Sequence, residues 1–168
     1  EPPYFTTANF TLSIDENEAA GTSVGSLGWD DPDRGQMHYF GDSVGGEQGQ
    51  VLSSDADALQ AFEFLDSLSE TIVTKAALNF EYKPSYDFKV SIRDEQGLTN
   101  TANVAVTVVD TNDPPTVIDP LTIRVPENYL GNIGRYAADD EDCCSSAVNP
   151  DWGLLSFALD DDTHVEFA

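Results

Sequence analysis

An alternating strand that ends in Asp110-Thr111-Asn112-Asp113 and then meets Pro114 and Pro115 constrains this chain more than any other feature. Val104, Val106 and Val108 fall on one face of an extended segment. Two prolines in succession then rule out both a helix and continued sheet, because proline fixes φ and has no N–H to donate. What leaves the strand is a stiff, extended link carrying carboxylate, amide and carboxylate. Hard oxygen donors grouped at such an exit suit a calcium ion held between two successive modules. A polar turn capped by Pro-Pro reads the same in isolation. Further acidic clusters at matching places in two successive segments favour the ion.

The charge balance points the same way. Seven Lys and Arg stand against 31 Asp and Glu in 168 residues, a formal charge of −24. Such an excess repels itself in a folded chain and disfavours direct contact with nucleic acid or an anionic membrane. It favours cations, since a divalent ion removes the repulsion between neighbouring carboxylates. The acids recur in short clusters (Asp30-Asp31-Pro32-Asp33, Asp139 to Asp142, Asp160 to Asp162) rather than in one run, so an acidic disordered tail is not expected.

No stretch is apolar enough to insert in a bilayer, and no charged segment followed by an apolar one opens the chain. The two cysteines are adjacent, Cys143-Cys144, which makes a bridge between them strained and leaves their pairing open. A sequon, Asn9-Phe10-Thr11, fits a secreted glycoprotein with Asn9 as the acceptor.

Helical periodicity is nearly absent. Thr, Val, Ile, Phe and Tyr dominate the ordered-looking stretches, and Gly, Pro, Asp and Asn punctuate them. Seven strands are predicted, at residues 10–14, 22–29, 37–40, 62–65, 70–74, 86–93 and 103–109, with one helical turn at 56–61. Residues 42–50 carry Gly45, Gly46 and Gly49 and read as a surface loop. Seven short strands with regular turns between them give an all-β chain, most economically a two-sheet sandwich.

After Pro115 the pattern begins again. Leu121-Thr122-Ile123-Arg124-Val125-Pro126-Glu127-Asn128 parallels Phe10-Thr11-Leu12-Ser13-Ile14-Asp15-Glu16-Asn17, and Ala138-Asp139-Asp140-Glu141-Asp142 parallels Trp29-Asp30-Asp31-Pro32-Asp33. The offset is 111 residues from Glu16 to Glu127 and 109 from Asp31 to Asp140, the mark of a tandem repeat. The expected division is a complete repeat over 1–113 and the N-terminal half of a second over 114–168. Half a sandwich exposes an apolar face and unpaired edges, so the remainder belongs either to a longer chain or to a neighbour.

These residues resemble the cadherin family at five points. They are Glu-Asn after the first strand (Glu16, Glu127), Asp-x-Asp after the second (Asp31/Asp33, Asp140/Asp142) and Leu78-Asn79-Phe80-Glu81 before the sixth. The last two are Tyr86, Val90 and Asp94 at spacings of four, and the Asp110 to Asp113 linker. The resemblance spans residues 4–157 and implies a seven-stranded Greek-key β-sandwich of the cadherin or immunoglobulin-like kind. It departs from the animal pattern at Pro114, where a second Asn is usual, and at Asn79, where an Asp is usual.

The resemblance implies calcium at the junction between repeats, roughly two to three ions sharing carboxylate and carbonyl oxygens. Carried onto this sequence, Glu16 and Glu81 meet Asp113, with Thr111 giving a backbone carbonyl. Asn112 and the Pro114 carbonyl reach an ion shared with Asp140 and Asp142. Asp31, Asp33 and Asp94 form the far end of the first repeat, where an upstream repeat docks. Asn79 replaces a charged ligand with a neutral amide and weakens the outermost site.

The function expected on this basis is a calcium-dependent extracellular or cell-surface module for adhesion or structural assembly, with no catalysis. Its partners are proteins, through homophilic or heterophilic contact, self-assembly or neighbouring repeats, with glycans as a further class and nucleic acid excluded. One alternative is a subunit of an extracellular filament or matrix whose second repeat is completed by a neighbouring chain. Another is a carbohydrate-binding module. A glycosidase with paired carboxylates is disfavoured because the repeat accounts for the acids as ligands, and no nucleophile, phosphate-loop or zinc motif appears. His38 and His164 read as lone histidines without a role, Trp29 and Trp152 as packing residues, and Asp160 to Asp162 as a solvated turn. Tyr4-Phe5 is a poor substitute for the aromatic residue that strand-swapping cadherins insert into a partner.

Overall fold

A computed structural model describes residues 1–33, 35–41, 51–117, 138–140 and 142. The repeated segment at 121–128, the loop at 42–50, Cys143-Cys144, Trp152, Asp160 to Asp162 and His164 lie outside the described residues. By its internal contacts the chain divides into two units, Glu1–Thr111 and Asn112–Ala168.

The first unit is built on two long strands, β8 (Ser85–Asp94) and β9 (Thr99–Val109). Strict alternation makes them partners: Tyr86, Phe88, Val90 and Ile92 point inward from β8, and Ala102, Val104, Val106 and Val108 from β9. Their antiparallel register sets Tyr86 opposite Val106 and Phe88 opposite Val104. β2 (Asn9–Asp15) runs parallel to β9 on one side, and β5 (His38–Phe40) antiparallel to β8 on the other. The order β2-β9-β8-β5 forms one sheet.

The facing sheet has the order β3-β7-β6, from β3 (Ser23–Ser26), β6 (Phe62–Phe64) and β7 (Thr71–Thr74). Phe62 stacks on Phe88 at 5.2 Å and meets Tyr86 edge-on at 5.1 Å, so aromatic rings join the two layers. Each fully buried ring or branched side chain contributes about 1.5–3 kcal/mol. The only helix among the described residues is α1 (Ala56–Ala61), at the position predicted for a helical turn. Asp55 caps it by accepting from the Asp57 N–H, and no described helix is long and apolar enough to cross a membrane.

The predicted strand at 22–29 is two strands. Between Ser23 and Gly25 the register of β3 against β7 shifts, and a Cβ on Gly25 would come within 2.8 Å of the Leu12 side chain. The chain then leaves this sheet, and β4 (Trp29–Asp30) pairs instead with β1 (Tyr4–Phe5), a strand too short for periodicity to register. Phe5 is buried in the core of its own unit. In the second unit, β10 (Thr116–Val117) pairs with β11 (Ala138–Asp139) antiparallel, the same small ladder as β1 with β4.

Candidate metal centre

At the end of β2 the chain turns on Asn17, whose φ of +61 is left-handed, a conformation that asparagine tolerates better than most residues. Backbone bonds from Glu16 N–H to the Val109 carbonyl (3.0 Å) and from Asn17 N–H to the Leu78 carbonyl (2.9 Å) tie this turn to β9 and to the 78–81 segment. The Glu16 side chain is thereby buried at the base of the unit. One carboxylate oxygen accepts from the Phe80 N–H and the other from the Thr111 N–H, each at 2.8 Å.

Glu16, Glu81 and Asp110 each bring a carboxylate oxygen within 4.8 Å of the others. Three negative charges this close repel unless a cation lies among them, and oxygen donors alone suit a hard divalent ion. Glu16 and Glu81 were expected in this role. Asp110 was read as one of the linker's oxygen donors but was not assigned beside Glu16 and Glu81. The signal for it was strand parity: it follows Val109 at the strand's end, beside the Glu-Asn turn. The Asn79 side-chain oxygen accepts from the Tyr82 N–H at 2.5 Å and so also closes the turn that carries Glu81.

The opposite end of the unit holds Asp31, Asp33 and Asp94, separated from the first cluster by the length of β9, roughly 30 Å. Asp94 takes an inward position at which the β8 alternation calls for an apolar side chain, and it is 1% exposed. Its Oδ1 accepts from the Leu98 N–H at 2.8 Å, while Oδ2 has no hydrogen-bond partner among the described residues. A buried carboxylate oxygen without a partner is costly, and a cation relieves that cost.

Beside it, Asp31 Oδ2 lies 2.6 Å from His38 Nε2, both side chains being buried. The hydrogen bond from His38 holds the Asp31 carboxyl below the usual carboxylate range, against the opposing effect of burial. The His38 ring also packs on Trp29 at 4.4 Å, and Trp29 meets Phe40 edge-on. Nothing in the local pattern pointed to a role for His38; only the register that sets it opposite Asp94 brings it here.

The second unit repeats this end in detail. The Asp31 N–H bonds to Asp30 Oδ1 and the Asp33 N–H to Asp31 Oδ1, at 2.9 and 2.7 Å. The Asp140 N–H bonds to Asp139 Oδ1 and the Asp142 N–H to Asp140 Oδ1, at 3.2 and 3.1 Å. Asp33 Oδ2 accepts from the Glu1 amine, and Asp142 Oδ2 from the Asp113 N–H. Glu1-Pro2-Pro3 is therefore the counterpart of Asp113-Pro114-Pro115, an acid-Pro-Pro echo at an offset of 112 that sequence reasoning missed. Asp140 and Asp142 are buried, and Asp142 Oδ1, like Asp94 Oδ2, has no hydrogen-bond partner among the described residues. Asn112 is exposed and donates to the Asp113 carbonyl at 3.1 Å, and Pro114 is exposed.

Of the expected ligands, Glu16 and Glu81 come together with Asp110. Asp31 meets His38, which lies opposite Asp94, and Asp142 accepts from the Asp113 N–H. Asn112 and Pro114 adjoin Asp113 in the chain.

Comparison with known proteins bears on the family and the fold. Residues 10–109 match the family model for the cadherin domain. The chain is 32% identical over 142 residues to human protocadherin gamma-A3, covering 82% of this chain and 14% of that protein. It is 32% identical over 162 residues to human cadherin-12, covering 88% of this chain and 19% of the relative. The chain therefore spans less than a fifth of the length of these relatives. Its fold resembles the structure of the protocadherin gammaB7 EC3-6 cis-dimer, with a TM-score of 0.58 at 20% identity over 84% of this chain and 36% of the other. The chain belongs to the cadherin family of extracellular, calcium-binding cell-adhesion proteins.

Proposed function

We propose that this chain is a calcium-dependent adhesion segment in which ions fix the orientation of successive repeats, 1–113 and 114–168. The observation that carries the reading is that two buried carboxylate oxygens, Asp94 Oδ2 in the first unit and Asp142 Oδ1 in the second, have no hydrogen-bond partner among the described residues. Glu16, Glu81 and Asp110 supply the carboxylates at the base of the first repeat, with the Thr111 carbonyl beside them. Asp113, Asp140 and Asp142, with Asn112 and the Pro114 carbonyl, supply those at the head of the second. Asp31, Asp33 and Asp94 supply the head of the first.

Bound calcium supplies positive charge that cancels the repulsion among these oxygens and holds six to eight of them at about 2.3–2.6 Å. The chain's own part is to hold the ligands in place beforehand. The Phe80 and Thr111 N–H groups fix the Glu16 carboxylate, and the Asx turns at Asp31 and Asp140 fix the Asp-x-Asp loops. Pro114 and Pro115 restrict the linker, so fewer conformations are lost when it is ordered. Roughly two to three ions are expected at the junction, Asn79 weakening the outermost. The partner is another protein, a second copy included, as with the cis-dimer of the protocadherin relative.

The test is a calcium titration followed by melting and by small-angle scattering. Calcium at 100 times Kd adds about 2.7 kcal/mol of stability and narrows the distribution of inter-repeat distances. A melting temperature and scattering profile indifferent to chelator would overturn the reading.

A further inference from the structure

The sequence holds one sequon, Asn9-Phe10-Thr11, and the fold presents it in an unusual setting. Asn9 opens β2, an edge strand of the four-stranded sheet. Asn9 and Thr11 are both exposed, two residues apart on the outer face, while Phe10 packs against the core. The amide and the hydroxyl that define an acceptor site therefore face water together. Asn9 Oδ1 accepts from Asn103 Nδ2 at 2.9 Å, and among the described residues Asn9 Nδ2 makes no hydrogen bond.

From Asn9 a trough of about 600 Å³ runs across the sheet. The ladder sets one row of its lining, Asn9, Asn103, Lys89 and Leu52, each paired with the next. A second row is Thr11, Ala105 and Asp87. Hydrogen-bonding groups of both kinds sit along it: amides at 9 and 103, an ammonium at 89, a carboxylate at 87 and a hydroxyl at 11. Such a lining suits a polyhydroxylated chain better than an apolar side chain.

We propose that Asn9 carries an N-linked oligosaccharide whose first sugars lie in this trough and withdraw the outer face of the four-stranded sheet from protein contact. In the transfer, Asn9 Nδ2 bonds to C1 of a sugar donated by a lipid-linked oligosaccharide diphosphate. The C1–O bond to the diphosphate breaks, the lipid diphosphate leaves, and the amide nitrogen loses one proton. Attachment at the rim makes occupancy of the trough intramolecular, so weak contacts suffice. Adhesive contact then falls to the other faces of the module.

The experiment uses the chain secreted from eukaryotic cells. Intact mass is measured before and after peptide N-glycosidase, for the natural chain, Thr11→Ser and Thr11→Ala. The glycan is expected on the first two and absent from the third. Lys89 is then acylated with a small amine-reactive ester. Labelling is expected to be several-fold slower in the glycosylated protein than in the enzyme-treated protein or in Thr11→Ala, with Lys75 unchanged. An unmodified Asn9 overturns the proposal, and so does equal labelling of Lys89 with and without the glycan.

Discussion

Glu16 and Thr111 are joined by a hydrogen bond of 2.8 Å from the Thr111 N–H to one carboxylate oxygen, while the other oxygen accepts from the Phe80 N–H at the same distance. The carboxylate therefore has a structural task before any ion arrives: it satisfies two backbone donors that β9 and the 78–81 segment leave at the base of the first unit. Glu16→Ala strands both and is expected to cost about 2–4 kcal/mol in chelator, with Glu16→Gln, which keeps one acceptor oxygen, near half of that. Urea unfolding without calcium measures it. Equal stability of the natural chain and Glu16→Ala under those conditions would reduce Glu16 to a ligand only.

The two long strands, the helical turn and the Asp-x-Asp clusters were legible because each writes a local period or spacing. Tyr86, Phe88, Val90 and Ile92 alternate without a break, so β8 could be placed from sequence. The same alternation hid a clue, since it continues to Asp94, where a carboxylate takes the inward place. What was not legible is nonlocal. The division of residues 22–29 falls at Leu27-Gly28, where the Gly28 carbonyl accepts from the Thr6 N–H and a Cβ on Gly28 would meet the Thr6 hydroxyl. The β1–β4 ladder has two residues a side, and His38 reaches Asp31 only through the pairing of β5 with β8. The acid-Pro-Pro echo at Glu1 and Asp113 was visible in the letters, but too short to stand out until the main-chain nitrogens of both proved to bond corresponding Asp-x-Asp turns.

Asp55 is expected to give the chain an acid-sensitive contribution unrelated to calcium. Its carboxylate accepts from the Asp57 N–H and from Lys83 Nζ, and the Lys83 hydrogen bond is the main reason its pKa lies below the ordinary value. Lys83 is raised correspondingly, first by Asp55, and its ammonium also lies 4.9 Å above the Tyr86 ring. A depressed carboxylate pKa stabilises the fold above the unfolded value, about 3.9, and the gain is lost as pH falls through the folded value. The natural chain should exceed Asp55→Asn in stability at neutral pH, with the gap closing below about pH 4. Urea midpoints across the acid range in chelator measure it. A gap that stays constant would assign the difference to helix capping alone.

Asp94→Asn separates a cation ligand from a turn-former. In the natural chain Oδ1 accepts from the Leu98 N–H, and an asparagine oxygen can do the same. Oδ2 is buried with no hydrogen-bond partner among the described residues, so without a cation the carboxylate carries a desolvation cost that a neutral amide avoids in part. In chelator Asp94→Asn is expected to be about 1 kcal/mol more stable than the natural chain. With calcium the order reverses, because the variant has lost a charged ligand and gains less from the ion. Thermal melts of both proteins in the two conditions give the four values needed. A variant that is less stable in both, by the same amount, would mean that the Asp94 carboxylate serves the β8–β9 turn and holds no cation.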